Sequence, residues 1–75
     1  MRSLIIIGKI VYIALEGGFY GIEGEDGRKW YPVDLPEHLK KNGLPVVVQA
    51  VEETEVFTTV MWGTPIRILV VLSEE

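Results

Sequence analysis

Two groups of carboxylates offer the first candidate chemistry. Glu23, Glu25 and Asp26 lie close together, and Glu52, Glu53 and Glu55 form a second group. A paired-carboxylate hydrolase needs two acids facing each other across a cleft, one of them with a raised pKa. Acids gathered at a turn are normally solvated, and neither group has that arrangement. The run Glu23-Gly24-Glu25-Asp26-Gly27 is rich in oxygen ligands but lacks the spacing of an EF-hand calcium loop. His38 is the single histidine, there is no cysteine, and no motif positions a serine beside it, so no nucleophile–base pair can be built. Met61, Trp62 and His38 form a set that could hold Cu(I), but Met61 is the one internal methionine and no second thioether lies near it in the sequence. The five glycines between Glu16 and Gly27 sit in turns and open no helix, so they form no phosphate cradle. These residues predict no enzyme, no cofactor and no metal.

The remaining candidates are aromatic: Phe19, Trp30 and Trp62, with Glu23 beside them. Whether they meet depends on the elements that carry them. Glycine and proline cut the chain into short strands, and Val, Ile and Thr, which favour strands, make up 22 of its 75 residues. Strands are expected over 4–15, 19–24, 28–33, 46–53 and 66–72. Gly8 could bend the first, which is apolar on both faces. A helix of about two turns is expected over Leu35–Asn42, capped by Asp34 with Glu37 three residues on and stopped at Gly43. Residues 54–65 read as a loop or as a hairpin arm through Val56–Met61, and Ser73–Glu75 as a frayed tail.

The order strand, strand, strand, helix, strand, strand predicts an all-β domain over 1–75, a five-stranded OB-like barrel, with an SH3-like barrel as the alternative. If Asp26-Gly27 is a two-residue hairpin loop, Glu25 faces Arg28, Glu23 faces Trp30, Ile22 faces Tyr31 and Tyr20 faces Val33. Opposite residues share a face. Tyr20, Ile22, Tyr31 and Val33 should then be core, together with Ile66, Ile68 and Val70, and Glu23 should be exposed. Phe19 and Trp30 point outward from the second and third strands, where OB-folds bind ligands and aromatic platforms stack bases or sugars. The competing expectation is that the 54–64 segment or a second subunit covers them.

Three stretches carry a resemblance: Glu16-Gly17-Gly18-Phe19-Tyr20-Gly21-Ile22, then Tyr31-Pro32 with Leu35-Pro36, then Met61-Trp62-Gly63-Thr64-Pro65-Ile66. They resemble small prokaryotic OB-fold-like proteins of uncharacterised function. The resemblance spans most of the chain and implies the barrel, with no activity or catalytic residue attached to it.

Net charge is −4 and the seven basic residues are scattered, which opposes a phosphate-backbone binder. Arg28 and Lys29 beside Trp30 are the one local basic–aromatic cluster. The expectation is a non-enzymatic binding or protein-interaction module for a protein or a small neutral ligand, with a single-stranded nucleic-acid binder as the alternative. The longest near-continuous apolar run, residues 4–15, is shorter than the roughly 20 residues of a spanning helix. Arg2 alone is a thin basic region for an export signal, so no membrane association and a cytoplasmic location are expected. One Asn and one Gln beside nine Glu give a thermophile-like composition. A small chain with Leu4–Ile7 apolar on both faces, and Leu69 and Val71 outward on the last strand, is expected to form a symmetric dimer.

Overall fold

The first strand serves two neighbours. In the computed structural model, which describes residues 2–54 and 62–74, β1 (Leu4–Ile13) pairs with β4 (Pro45–Glu52) from Leu4 to Lys9 and with β2 (Phe19–Gly24) from Gly8 to Ile13. Gly8 lies in both ladders. A Cβ there would collide with the backbone carbonyl of Glu23, so glycine lets the two strands cross at close range. On β1, Ile6 and Ile10 turn inward while Ile5 and Ile7 stay exposed.

The remaining strands, β3 (Lys29–Pro32) and β5 (Thr64–Glu74), close the sheet in the order β1-β2-β3-β5-β4. An up-and-down meander would set β4 beside β3. Here β5 pairs with β3 in parallel, and β4 lies between β5 and β1, both of which it pairs with antiparallel. This closed five-stranded Greek-key arrangement is the OB-like barrel expected from the element order. Its interior is filled by Ile6, Ile10, Ile22, Trp30, Leu39, Val46, Val48, Ala50 and Ile66. Among the described residues no helix is long and apolar enough to cross a membrane.

The β2–β3 register differs from the expected one by a single residue. Ile22 pairs with Trp30 and Glu23 with Lys29. The loop is Glu25-Asp26-Gly27, three residues long. The Gly27 N–H donates to the Gly24 carbonyl (3.0 Å), the Gly24 N–H donates to the Arg28 carbonyl (2.7 Å), and Gly27 has φ +87°. A type I turn followed by a left-handed glycine gives this geometry. A two-residue type I′ loop would force Asp26 to positive φ as well. Instead the Asp26 carboxylate accepts the Arg28 N–H at 3.0 Å. One residue of slip exchanges the faces of a strand. Trp30 is therefore core, 3% exposed, and not an outward ligand residue. Tyr31 takes the outward position and is half-buried, Val33 is exposed, and Tyr20 is half-buried against the core. Glu23 is half-buried rather than exposed.

The helix is also shorter than expected. A single 3₁₀ turn spans Glu37–Leu39, preceded by Pro36 with extended dihedrals and no side-chain cap. Proline disfavours helical backbone in the residue before it, which removes Leu35 from the helix. The Asp34 carboxylate does not cap; its Oδ1 accepts the Ile68 N–H at 3.0 Å and so ties the end of β3 to β5. Past the turn, the Asn42 Oδ1 accepts the Tyr12 N–H at 2.8 Å, and Gly43 and Leu44 exchange backbone hydrogen bonds with Ile10. The segment folds under the barrel and inserts Leu39, fully buried, into its interior.

On β5 the expected alternation holds for Ile66 and Ile68 and then fails. Two register shifts against β4 leave Leu69 and Leu72 without ladder partners, and each bulge reverses the parity that follows. Val71 consequently packs toward the core rather than outward, while Val70 is exposed rather than core. Ser73 and Glu74 are not frayed; they pair with Val47 and Val46. The hairpin arm expected through Val56–Met61 lies outside the described residues.

Candidate functional site

The outer face of β1, β2 and β3 carries the candidate site. Opposite one another across β1 and β2 lie Lys9 and Glu23, Val11 and Gly21, Ile13 and Phe19, and β3 adds Lys29 beside Glu23. Strand alternation places Tyr31 on the same face as Lys29. Trp62, just ahead of β5, folds its ring onto this face. A Cβ on Gly21 would overlap the Trp62 ring, so the missing side chain makes the slot the indole occupies. Phe19 makes an edge-to-face pair with each neighbour, its ring centroid 5.5 Å from that of Tyr31 and 5.8 Å from that of Trp62. Edge-to-face pairs at such distances are favourable beyond their buried area. All three rings are half-buried, so each is packed yet still reaches solvent.

The face joins a cleft of about 350 Å³ at the β1–β2 turn end, lined by Tyr12, Phe19, Tyr20, Tyr31, Asp34 and Lys40 among others. Tyr12 and Tyr20 are cross-strand partners with centroids 5.3 Å apart. Their approach needs Gly18, where a Cβ would fall on the Tyr12 hydroxyl and φ is +95°. Five of the seven aromatic residues thus gather at one end of β2. A concave surface that combines aromatic rings with a few convergent polar groups is a common form of ligand site.

Of the residues singled out from the sequence, the structure brings Phe19, Glu23 and Trp62 to one face and removes Trp30 to the interior. Arg28 lies over the Trp30 ring at 4.5 Å, so that basic–aromatic pair seals the core and lies off the outer face. Lys29 takes the outward role, with Nζ 6.0 Å from the Trp62 ring centroid, near the limit of a cation–π contact. The Glu23 backbone is flanked by Lys9 and Lys29, an alternation of charge across three strands. Sequence reasoning missed Tyr31 and Tyr12 and placed Tyr20 in the core. The Tyr12↔Tyr20 pairing follows from a five-residue connection, residues 14–18, between Ile13 and Phe19, which is longer than the Glu16-Gly17-Gly18 turn signal.

The other clusters do not assemble. His38 Nε2 lies 3.2 Å from Glu74, while Trp62 packs on Gly21 and Phe19; Met61 lies outside the described residues. Glu53 pairs with Arg67, Glu52 is exposed, and Glu55 lies outside the described residues. Among the described residues no three His, Cys, Asp or Glu side chains converge as metal ligands. Comparison with protein-family models, with curated proteins and with solved structures finds no match for this chain.

Proposed function

We propose that the protein is a non-enzymatic binding module whose ligand stacks on the outer aromatic face of β2 and β3. The observation that carries this reading is the Phe19–Tyr31–Trp62 cluster, seated over Gly21 with each ring half-buried. A glycine kept clear for an indole and rings locked edge-to-face form a rigid surface that loses little entropy on binding. Planar rings stack on such a surface whatever their sequence context.

Titration followed by tryptophan emission tests the reading. Adenosine, a neutral planar ring, is expected to quench emission saturably and with little salt dependence. Phe19→Ala should weaken that binding, and Trp62→Phe should abolish the signal, because Trp30 is sealed in the core. Quenching by oligothymidylate alone, falling steeply with salt, would favour the single-stranded nucleic-acid reading, for which Lys29 beside Trp62 is the local support. Silence with both probes would overturn a stacking site.

Self-association belongs to the same proposal. Ile5, Ile7, Leu69, Val70 and Leu72 are exposed on β1 and β5, and their β4 neighbours Val47 and Gln49 add no charge. An uncharged face suits a second copy about a two-fold axis, where each chain offers the same patch. Leu69→Lys is expected to give monomers in sedimentation at concentrations where the parent chain is dimeric. Ile6 is core and is no test of this face. A parent chain that sediments as a monomer at high concentration would contradict the dimer.

A further inference from the structure

We propose that the cleft walled by Tyr12, Phe19, Tyr20 and Tyr31, with Asp34 on its rim, takes an alkylated ammonium group. The proposal deepens the binding reading above, since Phe19 and Tyr31 belong to both the stacking face and the cleft. The four rings form two edge-to-face pairs, Tyr12–Tyr20 inclined at 64° and Phe19–Tyr31 at 88°. All four line the cleft, so a group lodged there is walled by rings at steep angles to one another. A ring face carries negative potential and attracts a cation within about 6 Å of its centroid. A volume of about 350 Å³ admits a trimethylammonium group with part of the chain that bears it.

Charge on the rim points the same way. Asp34 and Lys40 both line the cleft, but Lys40 is ion-paired with Glu37. Asp34, Lys40 and Glu37 taken together hold one carboxylate more than cations, although Glu37 itself lies off the cleft. The Asp34 Oδ1 is held by the Ile68 N–H, which fixes the side chain without removing its charge. An anionic ligand would meet that charge unfavourably, and a neutral one would leave it unused. A primary ammonium is strongly hydrated and needs hydrogen-bond acceptors on entering a cleft. A trimethylammonium is weakly hydrated and donates no hydrogen bond, so aromatic walls satisfy it. The whole chain, at −4, adds a long-range attraction for cations.

The group could be borne by a free small molecule or by a trimethylated lysine in a peptide; the recognising chemistry is shared. The test is an NMR titration with choline, set against its neutral isostere in which a tert-butyl group replaces the trimethylammonium. Choline is expected to shift the tyrosine ring signals saturably, and its own N-methyl signal should move upfield under the rings. The isostere should bind about tenfold more weakly, the loss of roughly one cation–π and one charge contact. Asp34→Asn keeps an acceptor for the Ile68 N–H and removes the charge, and Tyr12→Leu removes an exposed ring; each should weaken choline several-fold in a protein that remains folded by its other signals. A trimethyl-lysine peptide that binds more tightly than choline, where its unmodified counterpart does not, identifies the protein-borne source; choline at least as tight as the peptide identifies the free one. Equal binding of choline and its isostere, or no saturable shift with choline, overturns the proposal. If adenosine still quenches Trp62 in that case, the stacking site stands and only the ammonium assignment falls; if adenosine is silent too, both fall.

Discussion

Replacing Trp30 by alanine is expected to cost about 3–5 kcal/mol, the range for emptying a large aromatic position in a packed core. Trp30 is 3% exposed, packs among Ile6, Ile10 and Ile22, and is covered by the Arg28 guanidinium. A chain of 75 residues holds only about 0.05–0.15 kcal/mol of stability per residue. The loss is therefore comparable to the whole margin, and urea denaturation should show the variant largely unfolded or with a midpoint close to zero denaturant. The two-residue hairpin would have put Trp30 on the ligand face. On that alternative the same substitution would leave stability within about 0.5 kcal/mol, as exposed positions do, and would abolish ligand binding instead.

Gly8→Ala is expected to cost about 3 kcal/mol, the upper end of the range for inserting a methyl group into a filled space. The added Cβ meets the Glu23 carbonyl and the Gly24 Cα, which are backbone atoms and cannot rotate away. Relief would require β1 and β2 to separate where β1 passes from one neighbour to the other. Gly27→Ala is the control, because nothing lies near its Cβ and only its positive φ is strained. It should cost about 1–2 kcal/mol, the penalty of a left-handed residue with a side chain. Equal costs for the two variants, measured by urea denaturation, would show that the β1–β2 crossing is looser than the structure has it.

The barrel was legible because turn chemistry and element order are local signals. Gly17-Gly18, Asp26-Gly27 and Gly43 mark the turns, and Gly8 marks the bend in the first strand. Register was not legible, because Asp26-Gly27 serves a two-residue loop and a three-residue loop equally well. The choice between them is made by what Trp30 and Tyr31 bury, which is a tertiary matter. The same holds for β5. Residues Ile66 to Leu72 are apolar except for Arg67, so two bulges can reverse parity without leaving a trace in the hydropathy pattern. The helix was overestimated because Asp34 and Glu37 are spaced as a capping box, while Pro36 and the pull of the Ile68 N–H on Asp34 act against it. Of the site, Phe19, Glu23 and Trp62 were found from residue type and strand position. Tyr31 was lost to the one-residue slip, and Tyr12 to the absence of a β1–β2 register.

The central claim is that the ligand surface is the outer aromatic face and not the barrel interior. The two indole groups report on these places separately, Trp62 against Gly21 outside and Trp30 among the core residues inside. A nitrogen–proton correlation spectrum resolves their Nε1–H signals. On titration with adenosine the Trp62 signal is expected to move saturably while the Trp30 signal stays in place. Movement of the Trp30 signal with Trp62 unchanged, or no movement of either, would contradict the account.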